Sequence, residues 1–486
     1  VAGLVAAAAT LLAYGLLNLL HARAHGALAT QGPDLWFYLL VARGWEPLPM
    51  LDVTRLLVAP AALFSTAAAK AWLLTLAAAC NAGCAFVLAA RLDAFLPAAP
   101  RTSPGLFPRI AAGLAFALLP HNVAISVASF THYTVGQLCL LGALQGLLPW
   151  LQGRAARPSV VGLLCLAAAA VVGPEGVLVA AWVAAWFAWR SLAPPLRARA
   201  RRGVLLGAAA CVGLAWLGYE PAFRAWARAV HATRGIDLLW QRESLSGDLL
   251  PLGFSFVTVF HGANLLWVAL AAWALRKGPR PVAWLALALA ALSLRVFRPA
   301  FLLQLTGALL LFAAISAARR PARAWAAALA TSLCLAVLPL PDPVFPHYLA
   351  AAARHVGRSL PASSRVACSP TYGFFLEAWT GRHATATMHR RNPLWAELAS
   401  APPRRCAARM REAGIGCLWL TSRDFRLTPE GYWSSSGLQE ALRPLPEGDF
   451  EDCVVVRAAL ARNLAPLRVQ QVGGRDGTRL WWISAE

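Results

Sequence analysis

Residues 2–20, AGLVAAAATLLAYGLLNLL, run nineteen positions without a charge. In a helix such a run rises about 28 Å, close to the hydrocarbon thickness of a bilayer. Comparable runs recur near 71–90, 109–127, 132–152, 158–173, 175–189, 203–219, 253–275, 281–297, 299–317 and 324–341. After them the apolar pattern stops. Over the 486 residues only 14% are charged and 59% are hydrophobic, whereas a soluble domain carries about a quarter charged residues. The sequence therefore predicts an α-helical polytopic membrane domain over 1–341, with about eleven transmembrane helices, and a soluble domain over 342–486.

The formal charge of +22 comes almost wholly from arginine, since Lys70 and Lys277 are the only lysines. With the N-terminus in the cytosol, Arg91, Arg101, Arg109, Arg154 and Arg157 fall on the cytosolic side. So do the clusters Arg190–Arg202, Arg276–Arg280 and Arg319–Arg323. This is the distribution that the positive-inside rule requires, and it accounts for the charge without a nucleic-acid partner, for which no basic–aromatic motif is present. In the same topology Asp34, Glu46, Asp52, Glu175, Glu220, Asp237, Glu243 and Asp248 lie at the outer side, and Asp93 alone does not. Chemistry on the outer face is one cause for such a gathering of acids. The first run reads as a retained anchor: Ala22-Arg23-Ala24 and Ala27-Leu28-Ala29 resemble cleavage sites, but no basic segment precedes them. The expected location is a bacterial inner (cytoplasmic) membrane, with the C-terminal domain extracytoplasmic.

From Pro341 onward the chain is richer in charge and turns. Strands are expected at Arg365–Ser369 and Ile415–Leu420, and helices at Tyr372–Thr380 and Pro403–Ala413. Further strands are expected at Cys453–Arg457 and Leu480–Ile483. Alternating strands and helices give a small α/β domain. Its cysteines, Cys368, Cys406, Cys417 and Cys453, match no zinc spacing. In an extracytoplasmic domain they would be open to one or two disulfides whose pairing the sequence leaves undetermined.

Two outer loops are expected, 21–70 and 220–252. The first holds Gln31-Gly-Pro-Asp34-Leu-Trp-Phe-Tyr38: an acid after a helix-starting proline, then an aromatic amphipathic stretch suited to the membrane interface. A simple helix-capping role for Asp34 is the plain alternative. Together, the first span, Asp34-x-x-x-Tyr38, Ala89-Ala-Arg91-Leu92, Val172-Gly-Pro-Glu175-Gly-Val-Leu178 and Phe297-Arg298-Pro-Ala-Phe-Leu-Leu303 resemble the GT-C superfamily of integral-membrane glycosyltransferases. In the tail, Leu360-Pro-Ala-Ser-Ser-Arg-Val366 and Glu412-Ala-Gly-Ile-Gly-Cys-Leu-Trp-Leu420 resemble the soluble domain attached to such enzymes. The resemblance implies transfer of a sugar from a polyprenyl-phosphate-linked donor, on the non-cytosolic face, to a glycan, lipid or protein acceptor of the cell envelope. It also implies that Asp34 is the catalytic base, with Glu175 and Asp52 as supporting acids. Arg298, Arg43 and His132 are the candidates for contacting the donor phosphate, and a divalent metal, magnesium or manganese, is the candidate cofactor.

One departure stands out. Many members carry a second acid at the outer start of the fourth span, where this chain reads Phe130-Thr-His132-Tyr-Thr-Val-Gly-Gln137. A two-acid metal site then needs Asp52 or Glu175 as a substitute. His25 and His132 also fit plain interfacial hydrogen bonding, and His383-x5-His389 stands too isolated for a metal site. The 220–252 loop, with Arg224 and Arg228 on one helical face, is either a solvated linker or a mobile cover over the acceptor. No phosphate-binding glycine loop or zinc-protease motif occurs. Two other functions stay open: a transporter or flippase of lipid-linked glycan, which predicts internal repeats, and a non-catalytic envelope glycan-binding protein.

Overall fold

In the computed structural model, the described residues are 1–30, 32–47, 54–95, 105–119, 122–123, 126–191, 221, 224–234, 264–277, 279–293, 299–318, 320–337, 345–387, 389–390, 392, 394–422, 426–427, 433–434, 453–459, 461–473 and 479–485. The expected span 203–219 and much of 253–275 lie outside them, as do most of loop 220–252 and both Asp52 and Arg298.

The first helix, α1 (Ala2–His25), packs along α4 (Thr66–Ala90) and α5 (Leu106–Ala117). Its buried stripe is Gly3, Ala6, Thr10, Tyr14, Leu17 and His21, the three-to-four spacing of one helical face. Outside that stripe Leu4 is 68% exposed and Leu12 76%. A helix that shows leucine on its open face is built for lipid. Inside, polar side chains bind one another or the backbone: Tyr14 donates to the Ala117 carbonyl at 2.9 Å, and Asn81 to Ser126 Oγ at 3.0 Å. Such bonds fasten helices where burial of apolar surface drives little association.

Three described helices are long and apolar enough to cross a membrane: α1, α4 and α6 (His132–Leu151). Shorter apolar helices follow, α7 (Val160–Val172), α8 (Pro174–Ser191), α9 (Asn264–Lys277), α10 (Arg280–Ser293), α11 (Pro299–Ser316) and α12 (Pro321–Val337). The chain is thus an integral membrane protein with fewer full-length spans among its described residues than the expected eleven. The run 109–127 shows why. Its helix stops at Ala117, and Asn122 Nδ2 donates to the Phe116 carbonyl at 2.7 Å, satisfying a helix end that hydropathy had carried onward.

The tail begins with α13 (His347–Ser359) and continues through β1 (Arg365–Ala367), α14 (Pro370–Thr380), α15 (Leu394–Ser400), α16 (Pro403–Glu412) and β2 (Ile415–Thr421). Then come α17 (Val454–Ala459), β3 (Leu467–Gly473) and β4 (Arg479–Ala485). The four strands form a mixed sheet in the order β1-β2-β4-β3, with β1 parallel to β2 and the other pairs antiparallel. The expected strand at Cys453–Arg457 is instead a helix. Cys453, Val454, Val455 and Ala458 are buried, and Val454 N donates to the Ala401 carbonyl at 3.0 Å, so packing against α15 overrides the β-preference of three valines. Cys368, Cys406, Cys417 and Cys453 are all buried; burial pushes the Cys406 and Cys417 thiols up to about 12.

The tail is not a separate globule on a tether. One continuous core joins it to the first outer loop and the start of α4: Leu35–Val41, Ala69, Leu73 and Ala77 pack with Phe345, Phe374, Phe375 and Trp379.

Candidate functional site

The segment between α1 and α4 holds α2 (Asp34–Ala42) and the short α3 (Thr54–Val58). Pro33 sits at the N-cap of α2 with φ near −74°, and its carbonyl accepts from the Trp36 and Phe37 amides, both at 3.0 Å. A proline there costs no hydrogen bond and presets the helical φ. Asp34 is therefore the first helical residue, where the helix dipole favours a carboxylate, and it is partly exposed. The rest of α2 is the reverse: Leu35, Trp36, Leu39 and Leu40 are fully buried.

Tyr38 lies one turn past Asp34, on the same face. Its ring meets Phe130 edge-on at 5.2 Å and stands 6.2 Å from His132. His132 opens α6, whose cap is Thr131; the Thr131 hydroxyl accepts from the Tyr133 amide at 3.1 Å. Gln137, one turn on, is buried, and its amide oxygen has no hydrogen-bond partner among the described residues. The second expected acid arrives by a different route. α7 runs to Val172 beside Gly136 of α6, and the chain turns at Gly173-Pro174 to start α8 with Glu175 as its second residue. A Cβ on Gly176 would stand 2.1 Å from the Ala169 carbonyl carbon, so this turn needs glycine for close backbone approach. The starts of α2, α6 and α8 thus gather at one end of the bundle, the end covered by the tail. The Glu175 side chain lies outside the described atoms.

The other named residues fall elsewhere. Arg43 caps the far end of α2, about 13 Å from Asp34 along a nine-residue helix. Its Nη1 donates to the Ala378 carbonyl at 3.3 Å and its Nη2 to Thr66 Oγ1 at 3.1 Å, and burial lowers its pKa. It links α2, α4 and the tail rather than facing Asp34. His25 lies beside His21, with ring centres 4.8 Å apart and the planes tilted by 45°. Lys70 is buried, and its Nζ donates to the Ala27 and Ala29 carbonyls, both at 2.7 Å, fixing the start of the outer loop. Its rarity as one of two lysines was the signal available in the sequence.

A second polar cluster was not expected. Arg390 Nη2 donates to Glu46 Oε1 and to Glu377 Oε1, each at 2.7 Å. Glu377 also accepts from the Ala384 amide at 3.0 Å. Burial raises the Glu377 pKa against the opposing pull of Arg390. His389 packs edge-on against Phe37 and Phe374 at 4.6 and 5.0 Å, 3.8 Å from Glu46 Oε2. Among the described residues no three His, Cys, Asp or Glu side chains converge as metal ligands. Of the three expected acids, Asp34, Asp52 and Glu175, only Asp34 has a described side chain, and magnesium or manganese needs several oxygen donors.

At the opposite end Arg109 pairs with Asp93 at 3.1 Å, and Arg154 donates to the Asp93 and Ala94 carbonyls. The one acid expected on the basic side is thus neutralised by it.

Architecture of this kind has solved counterparts. The Archaeoglobus fulgidus oligosaccharyltransferase tethered with an acceptor peptide containing the NVT sequon superposes with TM-score 0.57 at 11% identity, covering 95% of this chain and 79% of that one. The chain has the GT-C fold. The same archaeal enzyme in complex with an inhibitory peptide and a dolichol-phosphate gives TM-score 0.52 at 12% identity, over 95% of this chain and 79% of that one. Its complex with Zn and sulfate gives 0.54 at 12%, over 94% and 78%. No protein-family model and no curated protein matches the sequence. The likeness resides in the GT-C fold and not in residue identity.

Proposed function

We propose that this chain is a membrane glycosyltransferase that moves a sugar from a polyprenyl-phosphate-linked donor to a cell-envelope acceptor on the non-cytosolic face. The observation that carries this reading is the position of Asp34: first residue of a buried interfacial helix, partly open, under the N-terminal turn of α6 at the end covered by the tail. The GT-C fold supports it, as do the dolichol-phosphate and acceptor-peptide complexes of the archaeal enzyme of like fold.

In the reaction the acceptor hydroxyl oxygen attacks the anomeric carbon, and the bond from that carbon to the phosphate oxygen breaks. The electron pair leaves on the polyprenyl phosphate, and the hydroxyl proton passes to the Asp34 carboxylate. His132 and Arg298 stabilise the departing phosphate. Tyr38 and Phe130 wall the site. A divalent cation, magnesium or manganese, would be held by Asp34 with Glu175 or Asp52 and would supply further charge neutralisation. The arginine distribution supports an outward-facing tail, in what we take to be a bacterial inner membrane.

The test is transfer from a radiolabelled polyprenyl-phosphate sugar by purified protein in lipid nanodiscs. Asp34→Asn is expected to lower the rate 100-fold or more, the scale of general-base catalysis, with donor binding retained. Wild-type transfer in that variant would remove Asp34 from the mechanism.

A further inference from the structure

Glu46 and Arg390 lie 344 positions apart in sequence, one in the first outer loop and one in the tail. Their ion pair is 2.7 Å long, and the Glu46 side chain is 3% exposed. Glu377, fully buried, shares the same Arg390 nitrogen. Two buried carboxylates on one guanidinium would be a poor stabilising device, because desolvation offsets most of the attraction. The arrangement fixes geometry instead. Glu46 follows α2 by four residues, and Arg43, which caps α2, reaches the Ala378 carbonyl of α14 and Thr66 of α4. N-terminal to these two polar ties, Trp36 and Phe37 lie against Trp379, Phe375, Phe374 and His389. At the near end Trp36 Nε1 donates to Thr30 Oγ1 at 3.0 Å, and Thr30 bridges to Phe345. Apart from Tyr38, whose ring meets Phe130 and His132, these ties along α2 run to the tail, to α4, or to a residue that the tail holds.

We infer that Arg390 is a positioning residue: through Glu46 it sets the lengthwise placement of α2, and hence of Asp34, so that the tail is a structural part of the transfer site. The inference rests on the assignment of Asp34 given above. A rigid helix of nine residues passes a shift at its C-terminal end directly to its first residue, and an error of about 1 Å in a reacting group costs on the order of 100-fold in rate.

The test uses the full chain with Glu46→Gln, which takes the charge out of the tie and leaves Arg390 paired with Glu377 inside the tail. Expected are a tenfold to hundredfold fall in kcat, an unchanged KM for the polyprenyl-phosphate sugar, and faster amide exchange over residues 34–42 with the tail's own protection intact. Arg390→Lys, which keeps a cation able to donate to both carboxylates, should recover much of the rate. A folded Glu46→Gln protein with wild-type kcat and exchange overturns the inference. So does a loss of rate matched by equal loosening throughout the tail, since that is a stability effect. Asp34→Asn assayed alongside separates the two ideas. If Asp34→Asn is fully active, the base assignment fails; if it is inactive while Glu46→Gln is normal, only the positioning role fails.

Discussion

The two ends of the helical bundle are built on different principles. At the basic end, Arg109 and Asp93 form an ion pair whose side chains are 18% and 46% exposed, and Arg154 binds carbonyls near the surface. At the tail end the carboxylates are the buried partners: the Glu46 and Glu377 side chains are 3% and 0% exposed, while Arg390, which bridges them, is 38% exposed, and His389 packs against Phe37 and Phe374. Exposed pairs gain little because water and salt screen them, so the pair at the basic end adds little to the stability of the fold. Buried pairs must be complete or they are costly, so the tail end records a geometry that the fold holds at some expense. The candidate base sits at the second kind of end.

That contrast can be broken by mutation. Arg390→Ala strands two buried carboxylates and should destabilise the protein by about 3–5 kcal/mol, the cost of removing one partner of a buried ion pair. Denaturant melts followed by tryptophan fluorescence would show it, given Trp36 and Trp379 in the same core. Tyr14→Phe, within the membrane bundle, deletes one hydrogen bond to Ala117 and should cost about 1 kcal/mol, read in detergent unfolding. Arg109→Ala at the basic end should cost less than about 1 kcal/mol and fade further in high salt. If Arg109→Ala proved as damaging as Arg390→Ala, the two ends would not differ in kind.

How far the sequence disclosed this depends on the range of the forces involved. Local signals were readable. The helix at Pro403–Glu412 and the strand at Ile415–Thr421 follow from periodicity and a separating glycine, and Pro33-Asp34 marks the start of α2. Elements decided by distant partners were not. Cys453–Arg457 looks like a strand until α15 is placed beside it. β3 was missed because Arg468, Gln470 and Gln471 are exposed and give no alternating apolar face; it is a strand because β4 pairs with it along its whole length. The run 109–127 reads as one span by hydropathy, while hydrogen bonding at Phe116 ends its helix early. Asp34, His132 and Glu175 were each named from short motifs, but that the helices carrying them begin at one bundle end depends on how α6, α7 and α8 pack. The Glu46–Arg390 tie had no sequence signal, since nothing local distinguishes a buried glutamate from a solvated one.

The most direct test of lipid-linked sugar transfer at the tail end is a cryo-electron microscopy structure of the nanodisc-embedded protein with a polyprenyl-phosphate sugar bound. The phosphate should lie at the start of α6 beside His132, with the anomeric carbon facing Asp34 and the polyprenyl chain running along the bundle. Donor density at the basic end beside Arg109 and Arg154, or an Asp34 turned to bulk water away from bound donor, would contradict the account.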